Sequence, residues 1–276
     1  MFLKKSSSLL LRILEHQRTE ILKFRKCHSL FGVKELLQRE KVSNFRILQA
    51  KSSDHDMAVE LIKRHYLSEH IMVRARRMDL NDRALDEYLI SMLKQGNTLY
   101  AKTEDGEVAG VCINFASSHV DPRNLRLYAY YRQNPNTKDL LCFIAQLQET
   151  PNLWEIFKQP KIFEIKMLTV LPEFRRQGLA VLLAEKSKLQ ALDQGYKVIR
   201  MDCINAHDYK VAERCMLQCI VKFPLHKLRG ENVPYIKRGS EFNRCVRVYV
   251  DARTQADVPD KNFVKHRQMD LDSLIE

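Results

Sequence analysis

Apolar positions along this 276-residue chain switch period several times, and the switches mark out its elements. Phe45-Arg46-Ile47-Leu48-Gln49-Ala50 alternates as a strand does. Ser52-Ser53-Asp54 then offers a start for a helix carrying Met57, Ala58, Leu61, Ile62 and Tyr66. Asn81 or Asp82 caps a second helix through Leu85, Tyr88, Leu89, Met92 and Leu93, which Gly96 ends. Thr98 to Lys102 and Glu107 to Phe115 return to strand pattern around Asp105-Gly106, a hairpin pair. Residues 116–160 read as an insertion whose apolar positions, Leu140 to Leu147 and then Leu153, Trp154, Ile156 and Phe157, pack helices on the sheet. Cys219 to Phe223 and Cys245 to Val250 are two last strands, with a charged loop from Arg229 to Arg244 between them.

The most informative stretch is Lys161 to Asn205. Ile162, Phe163, Ile165, Met167, Leu168 and Val170 form a β-favouring run that Pro172 ends, and Leu179, Val181, Leu182, Leu183, Leu189 and Leu192 recur at helical spacing until Gly195. Between them lies Arg175-Arg176-Gln177-Gly178-Leu179-Ala180. The first N–H groups of a helix have no intrahelical partners, so a strand, basic turn and helix in this order make an anion site. Gly178 lets the backbone approach without a Cβ in the way, and Arg175 and Arg176 add positive charge; a pyrophosphate is the expected ligand. No Gly-Lys-Ser/Thr follows and no Gly-x-Gly-x-x-Gly is present, which excludes the Walker and dinucleotide loops. Lys197 to Asn205 is a further alternating strand, and Asn205 suits the N-cap of the helical pattern from His207 to Gln218.

Charge and cysteine content narrow the setting. Of a formal net charge of +12, six units come from residues 1–43, with ten Lys/Arg against four Glu, so a basic extension separates from a domain at 44–251 and a polar tail at 252–276. No zinc spacing or nucleic-acid motif accompanies the charge, and neither nucleic acid nor a metal is expected. Retention on DNA through the basic arm stays as a minor alternative. The seven cysteines contain no C-x-x-C pair, which suits a reducing, cytoplasmic compartment. The acid-poor start, with Lys4, Lys5, Ser6 to Ser8 and no acid before Glu15, also fits a mitochondrial transit segment; the alternative is a helical extension. No window is apolar enough to span a membrane, and a monomer is expected.

Arg175-x-x-Gly178-x-Ala180 resembles the R/Q-x-x-G-x-G/A element of the GCN5-related N-acetyltransferases (GNAT superfamily), and the element order agrees with that fold. The resemblance implies an α/β acyl-CoA N-acyltransferase fold, with a mixed central sheet splayed between two cofactor-flanking strands and helices on both faces. It implies acetyl-CoA as co-substrate, held by Leu168, Val170, Arg175, Arg176, Gln177, Gly178, Leu179, Ala180 and Asn205. From Asn44 to Asp251 the chain is most similar to insect arylalkylamine (dopamine-type) N-acetyltransferases. That subfamily's aromatic-x-acidic-Glu-Pro-Leu stretch aligns with Tyr66-Leu67-Ser68-Glu69-His70-Ile71, which makes Glu69 the implied base that takes the proton of an ammonium, in a pocket that desolvates it. His65 or His70 is the alternative. The departures are specific. Two serines of the subfamily fall on Ile204 and Asp208, and the tyrosine that many members use to protonate the leaving thiolate falls on Ala212. The implied activity is transfer to a primary amine, an arylalkylamine first, with Tyr128, Tyr130 and Tyr131 near enough in sequence to wall an acceptor pocket. Polyamines or protein amines are the runner-up acceptors, and a CoA-binding pseudoenzyme with an adaptor role is the non-enzymatic alternative.

Overall fold

The computed structural model describes residues 45–230, 234–236 and 244–252. The expected basic extension, the tail beyond Ala252 and most of the charged loop lie outside the described residues. The described chain runs β1 (Arg46–Gln49), α1 (His55–Ile62), α2 (Ile71–Arg76), α3 (Arg83–Leu93), β2 (Leu99–Lys102), β3 (Val108–Ser118), α4 (Asp121–Tyr130), α5 (Pro135–Glu149), α6 (Leu153–Ile156), β4 (Lys161–Val170), α7 (Leu179–Asp193), β5 (Val198–Cys203), α8 (Ala206–Arg214), β6 (Gln218–Pro224) and β7 (Cys245–Ala252). It forms the mixed α/β sheet expected, in the order β1-β2-β3-β4-β5-β7-β6, with β4 and β5 parallel and the other neighbours antiparallel. The Asp105-Gly106 turn closes its hairpin with Gly106 at φ 86°, a left-handed angle that its missing Cβ permits.

Helices cover both faces. Leu179, Leu183 and Ala184 of α7 and Ala212 of α8 pack on Ala101, Cys112, Phe163, Ile199 and Met201. On the other face, Ala58 and Ile62 of α1 and Leu89 of α3 meet Tyr100, Val111 and Ile113, while Phe143 and Leu147 of α5 meet Ile162, Val198 and Val248. The insertion does pack as helices on the sheet, and Trp154 Nε1 donates to the Ser117 carbonyl at 3.1 Å. Its boundary differs from expectation, because β3 continues to Ser118.

Three local features went beyond the sequence pattern. Lys63–Leu67 after α1 winds as a π-helical turn, with the Ser68 N–H reaching the Lys63 carbonyl at 3.1 Å. The short α2 is capped by a histidine, as the Met72 N–H donates to His70 Nδ1 at 3.3 Å. The third is a β-bulge in β4. Ile113 pairs with Met167 but Asn114 pairs with Ile165, leaving Lys166 opposite nothing. The extra residue reverses the strand's facing. Ile165 packs on the α7 side and Met167, two residues on, packs on the α1 side.

Candidate active site

The bulge explains how the sheet opens. Parallel pairing of β4 with β5 is limited to Phe163 opposite Ile199 and Glu164 opposite Arg200. A bulged strand bends, and from Ile165 to Val170 β4 pairs only with β3, so its other edge faces a gap. Leu168 and Val170 lie on this parted stretch, half-buried against the α7 layer.

At the end of β4 a 3₁₀ turn, Pro172–Phe174, delivers the chain to the basic loop. Arg176 at φ 65° and Gly178 at φ 80° both take left-handed backbone. Gly178 is the N-cap residue of α7 and has no side chain to satisfy the orphan amides. Among the described residues, the N–H groups of Arg176, Gln177, Gly178, Leu179 and Ala180 meet no acceptor. Successive unpaired amides at the N-terminus of a 15-residue helix form an anion cradle, strengthened by the helix dipole. The donor set fits a pyrophosphate. Arg175 folds back, its Nε donating to the Val170 carbonyl at 3.0 Å and its guanidinium pairing with Glu69 at 2.9 Å.

The structure therefore brings Glu69 to the basic turn. The desolvating pocket expected around it is not formed: the Glu69 side chain is 59% exposed and that of Arg175 41%. Asn205 sits where β5 ends and α8 begins, its Oδ1 accepting from the His207 and Asp208 amides at 2.9 and 3.0 Å and its Nδ2 donating to Asp208 Oδ2 at 2.6 Å. It is the helix N-cap that the sequence suggested.

Below the gap, on the side of α2 and α5, a cleft is lined by residues that include Tyr66, His70, Ile144, Lys166, Asp202 and Ile204. Its floor is a buried charge network. Arg200, 1% exposed, donates to Asp202 at 2.8 Å and to the carbonyls of Gln148 at 2.6 Å, Thr150 at 3.1 Å, Pro151 at 3.2 Å and Leu147, the C-terminal end of α5. Glu164 accepts from Lys166 Nζ at 2.7 Å and from Gln148 Nε2 at 2.8 Å. Burial pulls the Glu164 carboxyl up, but Lys166 and Arg200 outweigh it and hold it below its ordinary range, while Glu164 holds Lys166 above its own. These groups stay charged and satisfied.

His70 and Asp208 are perturbed the other way. Burial lowers His70 to about 4, so the ring is neutral, and because Nδ1 accepts from Met72 the proton sits on Nε2. Asp208 is raised to about 7 by burial, with Asn205 pulling it down and the charge of Glu69 pushing it up. Burial, then Asp208, raise the hydroxyl of Tyr66. His65, the other alternative base, gives its carbonyl to Thr169 Oγ1 at 3.3 Å. Of the three tyrosines expected to wall a pocket, Tyr128 lines a second cleft together with Tyr88, Phe115 and Lys166, whereas Tyr130 and Tyr131 are exposed and meet edge to face. No group of three His, Cys, Asp or Glu that could hold a metal occurs among the described residues, and no described helix is long and apolar enough to cross a membrane.

The family model described as Acetyltransferase (GNAT) family matches residues 62–215, a span that takes in Glu69, the turn Arg175 to Ala180 and Asn205. Arylalkylamine N-acetyltransferase 2 from Aedes aegypti superposes with a TM-score of 0.68 at 23% identity, over 76% of this chain and 100% of that one. Mosquito arylalkylamine N-acetyltransferase like 5b gives 0.68 at 20% identity, over 75% and 99%. Drosophila melanogaster polyamine N-acetyltransferase, which forms N-acetylagmatine, gives 0.69 at 16% identity, over 76% and 100%. At these identities the likeness is one of fold.

Proposed function

The chain belongs to the acetyltransferase (GNAT) family, and from that premise we propose that it transfers the acetyl group of acetyl-CoA directly to a primary amine, with an arylalkylamine as favoured acceptor. The observation that carries this reading is the coincidence of free amides at Gln177 to Ala180 with a parted β4 and β5 beside them. The amides and Arg176 would hold the pyrophosphate. The open edge of β4 at Leu168 and Val170 would hold the pantetheine arm, which is amide-bearing and extended like a strand.

An ammonium has no lone pair, so transfer needs a base, and Glu69 is the proposed one. Its partner Arg175 belongs to the loop that would meet the phosphates, so a phosphate that draws Arg175 away leaves the carboxylate free. Two features favour an aromatic acceptor. Tyr66 and His70 line the cleft, with Tyr88, Phe115 and Tyr128 in the neighbouring cavity, and the carboxylates of the cleft floor, Glu164 and Asp202, are already neutralised by Lys166 and Arg200. A polyamine needs unpaired acids along its length. The second reading, a polyamine or protein amine, rests on the exposed carboxylate of Glu69 and on the fold shared with the Drosophila polyamine enzyme.

The test is thiol release from acetyl-CoA with a panel of phenylethylamine-type amines, linear polyamines and a lysine peptide, comparing the parent with Glu69→Gln. Turnover is expected first on the arylalkylamines, with kcat reduced about a hundredfold or more in the variant. Tight CoA binding without turnover on any amine would overturn the enzymatic reading in favour of the adaptor.

A further inference from the structure

Lys166 is the extra residue of the β4 bulge and has no partner opposite it on β3. Bulges re-aim side chains, and this one carries a lysine into the interior: the side chain is 10% exposed and borders both clefts. Its ammonium makes a single hydrogen bond among the described residues, to Glu164 Oε2 at 2.7 Å. Glu164 lines the first cleft, and its other oxygen accepts at 2.8 Å from Gln148, which lines the second. Lys166, Glu164 and Gln148 therefore form the partition between a cleft under the parted strands and an aromatic one bounded by Tyr88, Phe115 and Tyr128. An arm lying along the open edge of β4 from Val170 to Leu168 ends close to this partition, since two strand residues span only about 7 Å. An acceptor whose amine meets the thioester there runs its far end past Lys166.

We infer that Lys166 is the residue that selects acceptors with one cationic end over acceptors with two. The inference rests on the acetyl-transfer reading and deepens it. Glu164 is the carboxylate that a second ammonium would seek, and Lys166 already occupies it. The other acids within reach are taken as well. Asp202 pairs with Arg200 at 2.8 Å, Glu87 pairs with Arg83 and Arg132, and Asp121 accepts from the amide and hydroxyl of Ser118. A second cation brought to the partition would meet a buried like charge and gain no unpaired acid, where little water screens the repulsion. An uncharged far end meets the apolar stem of the lysine and the rings beyond it. Removing the ammonium alone inverts the site. Glu164 Oε2 then has no partner, and a buried carboxylate without one favours any cation that can reach it.

Thiol release from acetyl-CoA by the full chain, with butylamine and with 1,4-diaminobutane, isolates the effect of a second cation at fixed length. The parent should give the higher kcat/KM with butylamine. Lys166→Met should raise the diamine-to-monoamine ratio of kcat/KM by about tenfold or more, the size of one hydrogen bond to a charged group. The double variant Lys166→Met/Glu164→Gln, which removes both charges, should lose that gain. An unchanged ratio in Lys166→Met, or a gain that survives in the double variant, overturns the assignment. So does a parent that acetylates 1,4-diaminobutane as well as butylamine, a result that needs no variant to fold and leaves acetyl transfer itself standing. A parent that releases thiol with no amine, phenylethylamine included, defeats the acetyl-transfer reading instead.

Discussion

Replacing Arg200 by Met keeps an unbranched, largely apolar stem in place and removes the guanidinium. The side chain is 1% exposed and donates to Asp202 and to four carbonyls at the end of α5, so the substitution strands a carboxylate and opens the polar end of a helix inside the protein. Breaking a buried pair from one side costs about 3–5 kcal/mol. At 2–4 °C per kcal/mol for a domain of this size, Tm should fall by roughly 6–20 °C. Arg200→Lys should lose most of this as well, because one ammonium cannot span carbonyls from Leu147 to Pro151 and Asp202 together. Arg175→Met is the control: it breaks the exposed pair with Glu69, worth about 0–1 kcal/mol, and should leave Tm nearly unchanged. Thermal unfolding followed by circular dichroism reads all three. A fall of less than about 2 °C in Arg200→Met would refute the claim that this side chain ties α5 to β5.

His70 and Gly178 yield further expectations. The folded protein prefers neutral His70, so its contribution is complete above the ordinary imidazole pKa of 6.5 and is lost as pH falls from there through about 4, a span worth about 3 kcal/mol. Urea midpoints at pH 7 and pH 4.5 should converge in His70→Asn, which keeps a capping acceptor but does not titrate, and equal acid sensitivity in the two proteins would count against the assignment. Gly178→Val places a β-branched residue at φ 80° and a side chain over the free amides, so it should cost about 1–2 kcal/mol of stability and at least tenfold in acetyl-CoA affinity by calorimetry. Undiminished affinity would show that the cofactor does not approach this turn.

The strand, glycine turn and helix from Lys161 to Asp193 were legible because each signal is local: a β-favouring run, a proline stop, a glycine and a helical period. So were the Asp105-Gly106 hairpin and the caps at Asp82 and Asn205. The bulge at Lys166 was not, since Ile165, Lys166 and Met167 alternate perfectly in sequence and only pairing with β3 reveals the extra residue. Alternation in β5 was correct about sides and silent about burial. Arg200 and Asp202 do point away from the α7 layer, but α5 covers that face, so these charges are interior. The short α2 escaped notice because its cap is an imidazole nitrogen, outside the usual set of capping oxygens. Tyr66 gave a single signal, its place in an aligned motif; the π-helical turn that carries it leaves no compositional mark.

Two residue pairs hold the halves of this sheet together, Phe163 with Ile199 and Glu164 with Arg200. Four strands hang on one side of that spine and three on the other, like unequal leaves of a book bound by a narrow strip. Backbone stitching cannot set the angle between the leaves, so the helices clasping both covers must do so, and the guanidinium fastening α5 to the spine is the rivet nearest the fold line. Any change that loosens that rivet widens or narrows the page opening before it disturbs either leaf.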